Sequence, residues 1–340
     1  MGKICSRAFI FAAMMQTSAG TDIALARQYL QEGELVAIPT ETVYGLAANA
    51  LNDEAVIKIF EAKNRPSFNP LIVHCASWQH CLQYVQQVPA IAHELAARFM
   101  PGPLTFLLDK QAIIPDLVTA GSSRVAIRVP AHPLTLQLLQ QLSFPLAAPS
   151  ANPFGYISPT TAGHVFNSLQ GKIPYILDGG AAAVGLESTI IGFNQQQQVL
   201  LYRSGGISAE QIQAVTGQPV LMASDTTESK PATSGRLKSH YAPHTPLYMG
   251  NLTELVKQYA HPKMAIISFD KPVQGAVTPY QFVLSPSGNL QEAARNLFAV
   301  LRKIDELDAA VIVAAVFPDE GIGRAINDRL SRAVAANKAV

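Results

Sequence analysis

The sequence predicts an α/β protein with two domains, of which the second is the smaller. Helical and strand patterns alternate almost from the start of the chain, as is typical of an α/β sheet. A length of 340 residues is long for one hydrophobic core and favours two domains. A polar segment rich in turn formers interrupts the alternation and indicates a linker.

The first part of the chain contains a series of short strands and helices. The apolar run Leu35–Ile38 predicts a buried strand, and Thr21 is a suitable N-cap for the helix before it. The other predicted strands are Leu71–Val73, Leu104–Leu108, Val125–Val129, Leu146–Ala148, Tyr175–Leu177, Thr189–Phe193 and Val199–Tyr202. The predicted helices are Asp22–Gln31, one that begins at Asp53, Gln79–Gln86, Ile91–Phe99, Leu134–Leu142, Ala162–Leu169 and Ala209–Val215.

A second, shorter series of elements follows the linker. Its predicted strands are Met264–Ser268, Gln281–Leu284 and Ala310–Val316, and its predicted helices are Leu252–Tyr259, Gln291–Leu307 and Arg324–Ala335. A unit of this size is a small domain. The predicted division is an N-terminal extension (residues 1–20), a catalytic domain (21–216), a linker or lid (217–246) and a small C-terminal α/β domain (247–340).

Composition indicates a compact globular protein, since 49% of the residues are hydrophobic and only 14% are charged. The net charge of +1 gives no overall field that would attract a polyanion, so nucleotide contacts must come from local cationic clusters. Cys5, Cys75 and Cys81 favour free thiols in a reducing cytosol, and their spacing is not a usual zinc pattern. The apolar run Ala8–Met15 is short for a signal sequence, and no apolar run is long enough to span a membrane. We therefore expect a cytoplasmic protein without membrane association. We also expect no metal site formed by the protein alone.

Polar side chains collect where the first buried strand ends. Thr40, Glu41, Thr42 and Tyr44 follow that strand, at the place where open α/β sheets hold ligands. Gly45 then permits a tight bend or a close approach of two backbone segments. The alternative is an ordinary turn with a threonine N-cap.

A pair of cations precedes the next predicted strand. Pro66 favours an extended conformation of the residue before it, which would place the side chains of Lys63 and Arg65 on one side of the chain. Two such cations repel each other unless an anion, for example a triphosphate, lies between them. Asn69 and His74 extend the same polar edge, and a solvated helix end is the alternative.

Two further clusters have the same character. Arg124 and Arg128 lie on one face of a predicted apolar strand, where surface ion pairs are the alternative. Ser150, Asn152 and Ser158 lie in a segment of small residues that would allow the backbone to approach a ligand. An ordinary loop rich in proline and glycine would have the same composition.

The last cluster comes from two strand ends. Ser188 begins one predicted strand and Arg203 ends another, so both side chains could face a common cleft. Each cluster is ambiguous when taken alone. Together they predict that cations and hydroxyls meet in one cleft.

These motifs resemble the YrdC-like domain. The small second domain, joined by a linker that ends in His240-Tyr-Ala-Pro243, resembles that of the two-domain threonylcarbamoyl-AMP synthases. The resemblance therefore implies an α/β fold with a twisted, open mixed sheet and a large cleft (YrdC-like), joined by a linker to a smaller Rossmann-like α/β domain. The motifs are Pro39-Thr-Glu-Thr-Val-Tyr-Gly-Leu, Lys63-x-Arg-Pro, Asn69-Pro-Leu-Ile-Val-His, Pro101-Gly-Pro-Leu-Thr, Arg128-Val-Pro, Pro149-Ser-Ala-Asn and Glu187-Ser-Thr-Ile.

The resemblance implies a cytoplasmic nucleotidyltransferase, an L-threonylcarbamoyladenylate synthase. It would form threonylcarbamoyl-AMP and pyrophosphate from L-threonine, bicarbonate or CO2, and ATP. Downstream transfer proteins would use the product for N6-threonylcarbamoyladenosine formation on tRNA, without a stable nucleic-acid complex of this chain. Mg²⁺ is expected with ATP, held mostly by phosphate oxygens and water.

The resemblance also assigns residues by matching position. Lys63 and Arg65 would be catalytic. The threonine site would contain Thr42, His74, Arg128, Ala148 and Ser188. The ATP site would contain Lys63, Arg65, Asn69, Arg124, Ser150, Asn152, Ser158, Arg203, His240 and Tyr241. The last two residues lie in the linker, which would either close over the cleft as a lid or simply tether the domains.

Two other functions are possible on the residues alone. A non-catalytic RNA-binding module would use the same cationic cleft, but the near-neutral charge and the few exposed aromatic residues expected count against it. A carbamoyl-transfer accessory domain would normally carry zinc-finger or acylphosphatase-like segments, and the sequence shows neither.

Overall fold

The computed structural model describes residues 16–223, 233, 235 and 240–336. These residues form an eleven-stranded mixed sheet and a four-stranded parallel sheet with helices, which confirms the predicted fold class. Three parts of the chain lie wholly or mostly outside the described residues. They are the predicted N-terminal extension, which includes Cys5, the linker between residues 224 and 239, and the last four residues of the predicted small domain.

The larger sheet and its helices belong to the first domain. The strands are β1 (Ser18–Gly20), β2 (Val36–Ile38), β3 (Gly45–Asn49), β4 (Ile72–His74), β5 (Leu104–Asp109), β6 (Arg124–Arg128), β7 (Leu146–Ala147), β8 (Tyr175–Leu177), β9 (Thr189–Phe193), β10 (Val199–Arg203) and β11 (Leu221–Met222). The helices are α1 (Ile23–Gln31), α2 (Asp53–Lys63), α3 (Trp78–Cys81), α4 (Ala90–Phe99), α5 (Asp116–Thr119), α6 (Pro133–Gln140), α7 (Ala162–Leu169) and α8 (Ala209–Thr216).

The topology of the larger sheet brings several strand ends together. Its strand order is β1-β8-β2-β3-β7-β4-β6-β5-β9-β10-β11. β4 and β6 are parallel neighbours, with His74 opposite Arg128. Parallel neighbours have their carboxyl ends at the same edge of a sheet, and this edge carries the cleft described below.

The smaller sheet belongs to the second domain. Its strands are β12 (Leu247–Gly250), β13 (Met264–Ser268), β14 (Gln281–Val283) and β15 (Val311–Ala315), and its helices are α9 (Leu252–Gln258), α10 (Leu290–Asp305) and α11 (Gly323–Ala336). All pairings are parallel, in the order β12-β15-β13-β14. Parallel strands joined by helices have apolar runs that are buried on both faces, and β13 is buried throughout.

One hydrophobic core crosses from the first domain to the second. Val43, Ile157 and Leu186 of the first domain are buried in the same cluster as Leu297 and Phe298 of α10. Because apolar side chains from both domains share this cluster, the second domain packs directly against the first.

A buried arginine adds hydrogen bonds across this boundary. Arg302 on α10 is 4% exposed and donates to the backbone oxygens of Ile157 (2.5 Å) and His164 (3.3 Å). It also donates to the side chain of Ser168 (3.1 Å). The boundary therefore has directional contacts as well as apolar packing.

The structure corrects the sequence prediction in the stretch between β2 and α4. The strand β3 was not predicted, because Gly45–Asn49 is a run of small, mostly buried residues whose pattern fits a helix as well as a strand. The predicted helix Gln79–Gln86 is wrong beyond Cys81. Val85 instead forms a bridge with Lys110, so the chain there pairs with the end of β5.

The structure also corrects the predicted element ends. The N-cap of α1 is Asp22, whose carboxylate accepts two backbone N–H groups of the first turn, and not Thr21. Residues 18–20, assigned to the N-terminal extension, form β1 beside β8, and residues 221–222, assigned to the linker, form β11 beside β10. Both strands are short and mostly exposed, so they lack the buried apolar run that predicts a strand.

Gly185 lies against α10, and this contact gives a first testable prediction. Its φ is +77°, and a Cβ there would collide with the backbone of Arg295. We expect Gly185→Ala to lower the free energy of unfolding well beyond the cost of about 1–2 kcal/mol for an unfavourable φ alone. Gly155→Ala is the matched control, since its φ is +80° but a Cβ would meet nothing within 4 Å. Equal losses in urea unfolding would contradict close domain packing.

A half-buried histidine, His164, near the same boundary gives a second prediction. Burial, with a contribution from Arg302, lowers the pKa of His164 from its usual 6.5 to about 4. The unfolded chain therefore binds more protons between these two values, and the free energy of unfolding should fall as the pH falls from about 6.5 to about 4. His164→Gln should reduce this loss in urea titrations at a series of pH values. An unchanged slope would contradict the prediction.

Candidate active site

The strand ends of the first domain surround a narrow cleft. Seven strand ends contribute to it, among them the carboxyl ends of β4 and β6 and the amino end of β9. The enclosed volume is about 50 Å³, which suits a few water molecules and is too small for a nucleoside triphosphate. Predicted site residues that line it are Thr42, Arg65, His74, Arg128, Ala148, Ser150, Ser188, Arg203, His240 and Tyr241.

The loop after β2 is held by a threonine side chain. Thr40 Oγ1 donates to the carbonyl oxygen of Val43 (2.6 Å) and accepts the backbone N–H groups of Thr42 and Val43. Its hydrogen is thus committed, so Thr42 Oγ1 must donate in the 2.7 Å contact between the two hydroxyls. Thr42 also accepts from Arg128 Nη1 (3.1 Å), which leaves its remaining lone pair as an acceptor for a ligand.

Arg128 at the end of β6 is the cation on this side of the cleft. It is 3% exposed and forms an ion pair with Glu41, whose other carboxylate oxygen accepts the backbone N–H of Ala131 (2.9 Å). Its buried Nε has no hydrogen-bond partner among the described residues. A buried guanidinium with an unused N–H group is suited to an anionic ligand.

His74 lies beside Arg128 and is neutral. Burial, with a contribution from Arg128, lowers its pKa from 6.5 to about 3. Its Nδ1 lies 3.1 Å from the carbonyl oxygen of Ile72, and because a carbonyl can only accept, Nδ1 carries the hydrogen. Nε2 is therefore an acceptor at the cleft.

Ser188 and Arg203 form the opposite wall. Arg203 donates through Nε and Nη2 to the carbonyl oxygen of Ser188 (3.1 and 3.0 Å) and through Nη2 to its hydroxyl (3.2 Å). The Ser188 hydroxyl is 2.7 Å from that of Thr105, which is fully buried. The orientation of Ser188 is thus fixed from two sides.

Arg65 is a further buried cation that lines the cleft. The chain turns sharply before it, because Asn64 is in the left-handed region and ends α2. Arg65 donates to the backbone oxygens of Asn69 (3.2 Å) and Pro70 (3.0 Å), and burial lowers its pKa to about 9. Neither amide atom of the buried Asn69 side chain has a partner among the described residues, so a donor and an acceptor are available here.

Lys63 is buried behind the loop that follows β7. Its Nζ donates to the backbone oxygens of Ser150 (2.5 Å) and Asn152, and it is 1% exposed. Burial and the neighbouring Arg65 lower its pKa well below the usual value. Asn152 also faces away from the cleft, donating to the backbone oxygens of Pro153 and Tyr156 (both 2.8 Å). Both residues shape the Ser150 loop instead of lining the cleft.

The end of the linker closes the cleft. His240 and Tyr241 are 6% and 1% exposed, and Tyr241 has a φ of +61°. The Tyr241 ring stacks on Phe298 of α10, with ring centroids 5.6 Å apart. Burial, with a contribution from Arg65, lowers the pKa of His240 well below its usual range. The linker end is therefore packed into the boundary between the domains and covers the cleft.

Arg124 does not join the cleft. It begins β6, four residues before Arg128, which is about 13 Å along a strand. There it donates to the hydroxyl of Tyr202 (2.8 Å), with its guanidinium over the same ring. Arg124 and Arg128 lie on the same face of β6, as predicted, but at opposite ends of the strand.

Two residues at the site were missed as functional candidates. Glu187 lines the cleft and accepts the hydroxyl of the buried Ser158 (2.6 Å), and Thr105 fixes Ser188. Both belong to motifs that were noted in the sequence, Glu187-Ser-Thr-Ile and Pro101-Gly-Pro-Leu-Thr. The signal was present, but nothing in the sequence shows which hydroxyl or carboxylate they meet.

Comparison with known proteins decides the family. The threonylcarbamoyl-AMP synthase of Pyrococcus abyssi is 39% identical over 320 residues, which cover 92% of this chain and 93% of the relative. That of Bacillus subtilis is 42% identical over 322 residues, with 92% of each chain covered. The chain belongs to the threonylcarbamoyl-AMP synthase family. The predicted family, and with it the predicted synthase activity of an ATP-using nucleotidyltransferase, is confirmed.

Family models and a solved structure agree with this threonylcarbamoyl-AMP synthase assignment. A model described as "Telomere recombination" matches residues 28–205, and one described as "Threonylcarbamoyl-AMP synthase, C-terminal domain" matches residues 207–335. The crystal structure of Pyrococcus abyssi Sua5 complexed with L-threonine superposes with a TM-score of 0.85 at 36% identity, covering 95% of this chain and 98% of that one.

In the described parts of this synthase, no helix is long and apolar enough to cross a lipid bilayer.

Proposed function

We propose that the cleft, which must open beyond its enclosed volume of about 50 Å³ to admit its substrates, binds L-threonine and ATP side by side and joins a threonine carbamate to the α-phosphate of ATP. One observation carries this proposal: two buried arginines, Arg128 and Arg65, line the same cleft together with neutral donors and acceptors. An amino-acid carboxylate and a triphosphate are the two anions that such an arrangement accommodates.

The end of the cleft near Arg128 suits threonine. The guanidinium would bind the carboxylate, while His74 Nε2 and Thr42 Oγ1 would accept hydrogens from the amine or the hydroxyl. Ile72 and Ala148 also line the cleft and offer an apolar surface for the methyl group. A methyl niche supplies only about 1–3 kcal/mol of preference over serine.

The end near Arg65 suits the triphosphate. Arg65 and Arg203 would neutralise phosphate oxygens, and Asn69 and Ser150 would supply neutral hydrogen bonds. Both carboxylates that flank the cleft, Glu41 and Glu187, are already paired with arginines. Magnesium would therefore enter with the triphosphate, held by phosphate oxygens and water, and would neutralise part of the phosphate charge.

Positioning and charge neutralisation account for the proposed reaction. The threonine amine adds to CO2, formed from bicarbonate, and loses a proton to give a carbamate. A carbamate oxygen attacks the α-phosphorus, the bond to the bridging oxygen of the β-phosphate breaks, and pyrophosphate leaves. The protein forms no covalent bond, so orientation and fixed cations carry the catalysis. The linker end over the cleft would protect the carbamate and the mixed anhydride from water.

The setting of the reaction extends the proposal. The product would be released in the cytoplasm to transfer proteins that attach the threonylcarbamoyl group to adenosine in tRNA. A low net charge of +1 supports transient rather than stable contact with nucleic acid.

A direct assay tests the proposed function. Purified protein is incubated with ATP, magnesium, bicarbonate and labelled threonine, and pyrophosphate and the labelled adenylate are measured. We expect both products in equal amounts and neither when threonine or bicarbonate is omitted. Pyrophosphate release without threonine, or tight RNA binding without product, would contradict the proposal and favour the RNA-binding alternative.

A further inference from the structure

One buried arginine of the second domain reaches the wall of the cleft. Arg329 on α11 is completely buried, and its Nε donates to Glu187 Oε2 (2.9 Å). Its Nη2 donates to the backbone oxygen of Ser204 (3.0 Å), the residue after β10. The guanidinium also lies over the Tyr241 ring, 5.0 Å from its centroid. A single side chain thus contacts three segments that surround the cleft.

The carboxylate that Arg329 contacts lies where an anion would bind. Glu187 lines the cleft together with Arg203, and its other oxygen accepts the Ser158 hydroxyl. A buried carboxylate without a counter-ion would repel a triphosphate at this position, because Coulomb interactions are weakly screened in a dry site. Arg329 supplies this counter-ion from outside the first domain.

The contact with Tyr241 concerns the linker. The Tyr241 ring contacts Phe298 and Arg329, both from the second domain, and the Tyr241 backbone is in the left-handed region. This backbone conformation costs about 1–3 kcal/mol and requires compensation from surrounding contacts. The Arg329 guanidinium and the Phe298 ring provide such contacts. Arg329 therefore both pairs with Glu187 and stabilises the position of the linker end over the cleft.

We propose that Arg329 is a positioning residue for the ATP site: it neutralises Glu187 and holds Tyr241, so that the second domain completes the cleft of the first. The inference rests on the proposed function, since it assigns the anion beside Glu187 to the triphosphate. It also gives the second domain a role in the reaction.

The test separates charge from packing in the full-length protein. In Arg329→Met, Glu187 loses its counter-ion, whereas Asp328, which also pairs with Arg329, keeps its ion pair with Arg332. We expect the KM for ATP to rise about tenfold or more while the KM for threonine changes about twofold. Adding Glu187→Gln to this variant removes the repelling charge, so the double variant should recover most of the ATP affinity. Arg324→Met is the matched control, because Arg324 lies on the same helix and also pairs across the domain boundary, with Glu210, but is exposed. It should leave both KM values unchanged.

The outcomes distinguish the inference from the proposed function. ATP binding is also measured by calorimetry without threonine, so it does not depend on adenylate formation, and wild-type turnover in the same preparation reports on the proposed function alone. An unchanged ATP affinity in Arg329→Met, or the absence of any recovery in the double variant, would overturn the inference. If Arg329→Met does not fold, Arg329→Lys keeps the charge but fewer bonds, and it should retain more ATP affinity than Arg329→Gln.

Discussion

Replacing Arg128 with methionine should raise the KM for threonine about 10- to 150-fold, which corresponds to the loss of a hydrogen bond to a charged group. The same change leaves the Glu41 carboxylate buried without its ion-pair partner. We therefore also expect a loss of stability of about 3–5 kcal/mol. Steady-state kinetics with threonine as the varied substrate measure the first effect, and urea unfolding measures the second.

Arg124→Met is the matched control for this variant. Both arginines lie on one face of β6, but only Arg128 reaches the cleft. We expect Arg124→Met to leave the KM values for threonine and ATP nearly unchanged. A large rise in the KM for ATP would instead support the assignment of Arg124 to the nucleotide that the resemblance implied.

Replacing Arg65 with methionine should lower kcat/KM for ATP about 100- to 1,000-fold, the usual cost of removing one preorganised donor from a charge-stabilising site. Arg65 makes its described hydrogen bonds to backbone oxygens, so its charge has no carboxylate partner there that would be left unpaired. The fold should consequently survive the change. Kinetics with ATP as the varied substrate, and circular dichroism to verify folding, would measure the result.

Lys63→Met should also reduce turnover severely, but through a different route. Lys63 holds the backbone oxygens of Ser150 and Asn152, so its loss would loosen the loop that lines the cleft. Arg98→Met, at an exposed position on α4, is the control for loss of a single cation. Full activity in either Arg65→Met or Lys63→Met would remove that residue from the site.

The sequence predicts the fold class and most of the residues that line the cleft, because the motifs lie at strand ends and strand ends converge in an α/β sheet. Arg128 and His74 illustrate this, since they are opposite each other in neighbouring parallel strands. Local pattern fails where a contact depends on chain geometry. Lys63 and Arg65 are only two positions apart in sequence, yet α2 ends between them, and of the two only Arg65 lines the cleft.

The longest-range contacts are those that the sequence conceals most completely. The pairing of Glu187 with Arg329 joins residues 142 positions apart and two domains. Arg329 differs from the other two arginines of α11 because it lies on the buried face of this amphipathic helix, with Ala325 and Ala333, but the local pattern does not show which group it meets. Its role depends on how the second domain is placed against the first, and that placement is set by apolar packing along α10.

The apolar core that Val43, Ile157 and Leu186 share with Leu297 has a consequence for the life of this protein in a cell. Heating should unfold both domains in a single calorimetric transition, because neither domain can separate from the other without exposing this apolar surface to solvent. A premature stop codon after the first domain would then produce an aggregation-prone fragment with exposed apolar residues, and not a smaller enzyme. Chaperones would bind this fragment and quality-control proteases would degrade it.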